Sequence, residues 1–356
     1  MQIAADRLRR LAATILEAAG SAAAEADAVA ARLVGANLAG HDSHGVIRVP
    51  QYVDQVRAGQ IAPNRTVVVV SETDALTVLD GQGGYGQIVG AQSVQAAIDK
   101  ARRHGIALSA LRQSAHLGRL GDWAEMAAAA GMASLHFVNA TGIPLRVVPH
   151  GGRDGRGTTN PLAMGVPVAG GEPVVLDFAT SAVAEGKVRV ARNKGVPIPP
   201  DCLLDADGLP TTDPNALYAD PPGNLVPFGG AVTGHKGGAL WLMVDLLAGA
   251  FTGGGCSRPP EGEPRFSSNM LSIVIAPEAY AGAGLAAEVR RYLEFVKSSR
   301  PRQPNGEVLL PGEPERRARA ERLAHGVPID PTTWEHILVA GDRVGRARAK
   351  LEALAG

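Results

Sequence analysis

Cysteine is almost missing from this chain: Cys202 and Cys256 are the only two in 356 residues. They stand far apart, without CxxC or Cys/His spacing, which excludes a disulfide framework and a structural zinc site and makes the cytosol the natural compartment. An excess of one charge is also absent. Lys and Arg number 35 and Asp and Glu number 35, so no global field draws nucleic acid or a membrane surface. Long apolar runs are missing too, since the most apolar, Ala239 to Phe251, is interrupted by Asp245 and falls short of the ~20 residues a membrane span needs. Asp6, Arg7, Arg9 and Arg10 break up the first apolar residues, so no secretion signal is read there. With 45% apolar residues, the expectation is a soluble globular protein of two or three domains of about 100 to 150 residues each.

Leu8, Leu11 and Ile15 recur at helical spacing up to Gly20, and a second helix runs to about Leu38. Thr66 to Val70 and Ala75 to Leu79 predict a β-hairpin, Val89 to Arg103 a helix, Ile106 to Leu111 a strand, Trp123 to Ala130 a helix and Ala133 to Val138 a strand. Pro173 to Leu176 reads as a short strand, and Gly186 to Lys194 has no clear signal. The prolines of Gly195 to Gly229 predict a surface excursion without a core. Leu271 to Ile275 is a further strand, Leu285 to Val296 an amphipathic helix, and the tail from Arg316 a charged helical region.

The segment from Gly40 to Pro50 gathers His41, Asp42, Ser43, His44 and Arg48 at a junction between helices. Imidazole moves protons near neutral pH, and guanidinium grips a carboxylate through two parallel hydrogen bonds. Ser114, His116, Gly118 and Arg119 repeat the pairing of His with Arg. Together these suggest a site for a small anion, with a capping or loop histidine as the plain alternative for each segment alone. His41 and His44 are also spaced to chelate a metal, which would make a metal-dependent lyase or hydrolase, but no third ligand is signalled nearby. Gly81, Gly83 and Gly86 match a dinucleotide-binding pattern, yet a hairpin precedes them and no acidic residue follows the next strand, so a tight strand-to-helix turn is the better account. Thr158 to Pro161 is either a polar donor group or a structural turn. Asp177 to Ser181 is expected to close a strand and open a helix, either as an N-cap or as an anion site. Gly234, His235, Lys236, Gly237 and Gly238 resemble a phosphate-cradling turn ahead of a helix.

Six ordered motifs, His41 to Pro50, Ser114 to Gly118, Thr159 to Pro161, Asp177 to Ser181 with Gly186 and Lys187, His235 to Gly238, and Leu310 to Glu313, resemble the malate/L-lactate dehydrogenase family that lacks a Rossmann fold. Within it the hydroxycarboxylate dehydrogenase branch is nearest, through His116 to Ala130, His136 to Pro144 and Lys194 to Pro200. Gly238 departs from the aromatic residue that relatives often carry there. The resemblance implies an α/β fold with a central nucleotide-binding region (116–280), an N-terminal helical and hairpin region (1–115) and a C-terminal helical region (281–356) packed on it. It implies a 2-hydroxycarboxylate dehydrogenase using NAD or NADP, NAD being favoured, with His116 as acid/base and Ser43, His44 and Arg48 around substrate and nicotinamide. His44, Gly118, Arg119, Leu120, Asn160, Leu176, Asp177, Phe178, Ala179, His235, Lys236, Asn269, Pro311, Gly312 and Glu313 would approach the dinucleotide. No metal, nucleic acid or membrane partner is implied, and the expected assembly is a homodimer with its sites partly at the interface. Reduction of a cyclic imino acid is the rival chemistry, and a cofactor-binding protein without turnover a further one.

Overall fold

In the computed structural model, which describes residues 1–262, 264–280 and 282–356, both ends of the chain build one helical body and the middle builds a sheet. Strand β1 (Gln2–Ile3) and helices α1 (Ala5–Ala18) and α2 (Ala23–Leu38) lead through two 3-10 turns, Asp42–His44 and Val46–Arg48, into α3 (Val49–Arg57). There follow β2 (Val68–Glu72), β3 (Leu76–Asp80), α4 (Gly86–His104), β4 (Ile106–Ser114), α5 (Gly121–Ala129), β5 (Ala133–Thr141), β6 (Pro161–Val166), β7 (Val174–Ala179) and α6 (Glu185–Lys194). Short strands β8 (Leu203–Leu204), β9 (Pro210–Thr211) and β10 (Asn224–Leu225) precede α7 (Gly230–Asp245), β11 (Ser267–Ile275) and α8 (Leu285–Lys297). The chain closes with α9 (Glu313–His325), β12 (Val327–Pro328), α10 (Pro331–Arg343) and α11 (Arg348–Ala355).

The apolar spacing that predicts α1 is also what ties the termini together. Leu8, Leu11 and Ile15 are wholly buried against Leu33 of α2, Val53 of α3, Ile337 of α10 and Leu351 of α11, and each such side chain contributes about 1.5–3 kcal/mol by leaving water. Pairing of β1 with β12 fastens the two ends. The seven-stranded sheet has the order β2-β3-β4-β11-β5-β6-β7. Only β3 and β4 run parallel, through the crossover helix α4, and the other neighbouring pairs are antiparallel. This mixed α/β sheet is not doubly wound, so it offers no Rossmann switch point. Of the region 1–115, α1 to α3 join the helical body and β2 to β4 join the sheet.

Three local expectations are corrected. Gly195 to Gly229 is no bare surface excursion: Ile198, Cys202, Leu203, Leu217 and Leu225 form a third core with Val147, Val188 and Trp241. Its prolines punctuate short strands, each of which still turns an apolar side chain inward. Asp177 does not open a helix, because it lies inside β7, and the next helix, α6, starts at Glu185. Gly234 to Gly238 is not a phosphate-cradling turn either. It lies within α7, where the amides are taken up by the helix and the glycines let it pack closely; a Cβ on Gly237 would lie 2.0 Å from the Phe228 carbonyl oxygen.

His136 of β5 is wholly buried between the hydroxyls of Ser134 and Ser272. Burial in these neutral surroundings lowers its pKa to about 3. The folded ring stays neutral where the unfolded ring takes up a proton, below about pH 6.5, so its stability contribution is complete above that pH and is lost as pH falls towards 3. Urea unfolding measured from pH 7 to pH 4 is expected to show a His136-dependent loss of about 1.4 kcal/mol per pH unit at the steepest, absent from His136→Gln.

Candidate active site

The site lies where the helical body meets the sheet. Residues 41–48 leave α2 in two tight 3-10 turns, and Asn37 braces them: its Nδ2 donates to Asp42 Oδ1 at 2.7 Å and its Oδ1 accepts from the Val46 amide at 2.9 Å. Gly45 is needed there, since a Cβ would lie 2.2 Å from Asn37 Oδ1. Arg322 of α9 clamps Asp42 from the other side, Nη2 to Oδ2 at 3.1 Å. On this rigid segment Ser43 Oγ meets His44 Nδ1 at 2.9 Å, and Arg48 donates from Nε to the Ser43 carbonyl at 2.7 Å and from Nη1 to Gln51 at 2.8 Å.

His116 arrives from the end of β4, and its ring stacks on His44 with centroids 5.4 Å apart. The glycine turn before α4 supports it directly. Gly83 N donates to the Gln113 carbonyl at 2.7 Å, Ala115 N donates to Gly84 at 2.9 Å, and a Cβ on Gly86 would lie 2.3 Å from the His116 carbonyl oxygen. The pattern that mimics a dinucleotide loop therefore seats the histidine. Gly86→Ala is expected to cost about 1–3 kcal/mol by overpacking and to lower turnover at least tenfold by displacing His116; a thermal melt with parallel kinetics checks both.

His44, Arg48, Gln51, His116, Gly118 and Leu120 line a cavity of about 310 Å³ together with apolar residues including Val138, Ile143, Pro144 and Phe266. Burial first, then the nearby Arg48 guanidinium, holds both imidazoles well below the usual histidine pKa. The rings therefore rest neutral. Burial and Arg189 act on Arg48 in the same direction, yet a guanidinium keeps its charge at any working pH. Among the described residues Nη2 of Arg48 has no hydrogen-bond partner. It faces Gly186 of α6, where a built Cβ would come within 3.3 Å. His41 points elsewhere, to Glu315 of α9 at 3.3 Å, and no group of three potential metal ligands forms among the described residues.

The other predicted residues do not share one place. Gly118 (φ +74°) and Leu120 line the cavity, while the Arg119 side chain turns inward to Asp122 at 2.9 Å and Glu125 at 2.6 Å. Asp177 caps no helix of its own and instead accepts from Gly121 N, at the start of α5, at 2.7 Å; Leu176, Phe178 and Ala179 flank it half-buried on the edge strand. Gly312 lines a second cavity with Glu125, Ala128, Val175 and Arg316; Pro311 accepts from Val175 N, and Glu313 pairs with Lys297. Asn160 and Asn269 are wholly buried. Asn160 donates to Asp245 at 2.9 Å, and Asn269 reaches the same carboxylate through Asn139, so their side chains brace the wall behind the cavity. His235 and Lys236 stand on the exposed face of α7, outside the cavity.

Sequence reasoning missed Tyr52 and Gln87, which hydrogen-bond to each other beneath His116, and Arg189 and Tyr218 at the cavity mouth. Tyr52 carried one usable signal, its place one turn after Arg48 on a helix that must face the same way. Pro144 lines the cavity, and Trp123 and Leu162 do not.

Two imidazoles held neutral by burial and a guanidinium with an unpartnered nitrogen thus share one cavity with apolar side chains. The malate/L-lactate dehydrogenase family model matches residues 3–338. Hydroxycarboxylate dehydrogenase B of Escherichia coli O157:H7 is 42% identical over 94% of this chain and 92% of its own length. The Δ1-pyrroline-2-carboxylate/Δ1-piperideine-2-carboxylate reductase of Pseudomonas syringae pv. tomato is 37% identical, over 93% of each chain. The solved sulfolactate dehydrogenase of Methanocaldococcus jannaschii superposes with a TM-score of 0.86 at 31% identity, covering 98% of this chain and 99% of that one. The chain belongs to the malate/L-lactate dehydrogenase family, whose members include oxidoreductases acting on 2-hydroxy acids.

Proposed function

We propose that this protein interconverts a 2-hydroxycarboxylate and a 2-keto acid with NAD or NADP, His116 exchanging the proton and Arg48 holding the carboxylate. The observation that carries this is the sharing of one 310 Å³ cavity by the neutral His116 ring and the free edge of Arg48. Arg48 fixes which face of the carbonyl is presented, and His116 stands at the substrate oxygen. In reduction the protonated ring gives up a proton to that oxygen; in oxidation the neutral ring takes it back. A bound reduced nicotinamide supplies the hydride. Ser43 holds the His44 ring against His116, and the apolar wall excludes water.

The residues suit a dinucleotide. Gly118 and Leu120 line the first cavity at the start of α5, and Gly312 lines the second near its end. Nine residues of helix span about 13 Å, a length an extended dinucleotide bridges between its two ring systems. The decisive assay follows absorbance of reduced nicotinamide with NADH and NADPH in parallel, against phenylpyruvate, pyruvate, oxaloacetate and a cyclic imino acid. Oxidation with a keto acid is expected, and its rates rank the two cofactors. Turnover of the imine alone would instead favour the second reading, which rests on the reductase relative; bound cofactor without turnover across the panel would overturn both.

A homodimer is part of this reading. The outer face of α7 exposes Leu242 and Met243 (51% each), Phe251 follows at 74%, and the same face carries His235 and Lys236. Burial of that face by a second copy would bring the two basic groups to an interface. Sedimentation is expected to give twice the chain mass, and Leu242→Glu with Met243→Glu to give folded monomers.

A further inference from the structure

Beneath His116 lies a hydrogen-bonded chain that the roles assigned so far do not use. Tyr52, wholly buried on α3, meets His116 Nδ1 with its hydroxyl at 2.7 Å. Gln87, buried in the first turn of α4, donates from Nε2 to that same hydroxyl at 2.8 Å. A hydroxyl that accepts from Gln87 directs its own proton to Nδ1, so the neutral ring carries its hydrogen on Nε2. In this form His116 donates a hydrogen bond to a keto oxygen, but it has no lone pair with which to take a hydroxyl proton. The other end of the carboxamide, Gln87 Oε1, is buried without any partner, although buried polar atoms are satisfied as a rule. Gly118 passes close to the other end of the carboxamide, where a Cβ would lie 3.3 Å from Gln87 Nε2.

We propose that Gln87 is a two-position switch for the acid/base histidine, its carboxamide turning over to receive the Tyr52 hydroxyl proton on Oε1 whenever His116 carries hydrogen on Nδ1. This inference rests on the acid/base role of His116. With the amide turned, Nδ1–H donates to the Tyr52 oxygen and Tyr52 O–H donates to Gln87, so Nε2 is free to carry or to lack a proton. In reduction the Nε2–H bond of the imidazolium breaks as the product O–H bond forms, the hydride having entered at the carbonyl carbon, and the ring is left neutral with hydrogen on Nδ1. Oxidation runs the same exchange backwards. The neutral ring becomes the imidazolium again by taking one proton from solvent at Nε2, and Tyr52 and Gln87 redirect hydrogen bonds without losing protons. Both working states need the turned amide, and the arrangement seen is the resting one.

The groups facing His116 make such an acceptor necessary. His44 and Arg48 approach from the 41–48 segment and Arg189 from α6, and all three oppose a positive charge on the ring, as burial does. Tyr52, from α3, is its one hydrogen-bond partner among the described residues. Gln87 therefore acts as a positioning residue, through Tyr52.

The test compares Gln87→Leu with Gln87→Glu, reading the His116 ring nitrogens by long-range ¹H–¹⁵N NMR in histidine-labelled protein and the pH dependence of keto acid reduction. Leucine offers Tyr52 no acceptor, so the neutral ring keeps hydrogen on Nε2, its titration moves to lower pH by a unit or more, and turnover falls at least tenfold with KM within twofold. Glutamate only accepts, so hydrogen moves to Nδ1 and the titration moves to higher pH. A glutamate charge acting through space alone would raise the titration without moving hydrogen to Nδ1, so the tautomer is the deciding reading. In a Tyr52→Phe background the two Gln87 variants should show the same tautomer. Should Gln87→Leu fail to fold, Gln87→Met makes the same comparison, and Tyr52→Phe alone, one oxygen smaller, must lower the His116 titration. Shifts of one sign, or none, overturn the switch. If His116→Ala is inactive in that case, the acid/base role stands without it; full activity of His116→Ala removes the role whatever the spectra show.

Discussion

His116→Ala is expected to lower keto acid reduction by about 10²- to 10⁴-fold, the range that a positioned acid or base supplies, while NADH still binds. The expectation follows from placement. The ring reaches the 310 Å³ cavity with Nδ1 engaged by Tyr52, which leaves Nε2 as its one nitrogen for substrate. His44, the other imidazole, is tied to Ser43 through Nδ1 and stacks on His116, so His44→Ala should cost less and mainly loosen its neighbour. pH separates the directions of reaction. Burial and Arg48 hold the His116 pKa well below its usual value, so reduction, which needs the protonated ring, slows as pH rises through that pKa, and oxidation, which needs the neutral ring, quickens. Stopped-flow absorbance gives the rate and fluorescence titration the cofactor affinity. Full turnover in His116→Ala would remove the residue from the mechanism.

Where function was legible in the chain, short segments carried it. His41 to Arg48 and Ser114 to Arg119 each concentrate chemistry within a few residues, and the fold brings His44, Arg48 and His116 to one cavity. The apolar spacing of α1 was equally direct, because one helix face meets one core. What stayed hidden depends on partners distant in sequence. Gln87 and Tyr52 are 35 residues apart and Asp177 accepts from an amide 56 residues before it, and no local pattern records either pairing. The glycines at 81, 83 and 86 were visible as a turn, but only the fold shows that the backbone they admit belongs to His116. Gly234 to Gly238 misled because glycines beside a lysine mark a phosphate turn and a closely packed helix alike, and Phe228 decides between them.

Arg48→Lys is expected to lower kcat/KM for a keto acid by about 10- to 10²-fold although charge is conserved, since it removes two charge-assisted hydrogen bonds worth about 1.5–3 kcal/mol each and returns one. Two donors of Arg48 are already committed, Nε to the Ser43 carbonyl and Nη1 to Gln51. These bonds hold the guanidinium plane and leave Nη2 without a partner among the described residues. A lysine ammonium that reaches a carboxylate cannot also hold both anchors, and it fixes distance without fixing orientation. Most of the loss should appear in KM, because the grip exists in both ground and transition states, and the rest in kcat through poorer alignment with the hydride donor. The neutral amide of the same keto acid isolates the contact: the native enzyme should discriminate strongly against it, and Arg48→Lys much less. Equal discrimination by both proteins would assign the carboxylate to another cation at the cavity, with Arg189 and Arg146 next in reach.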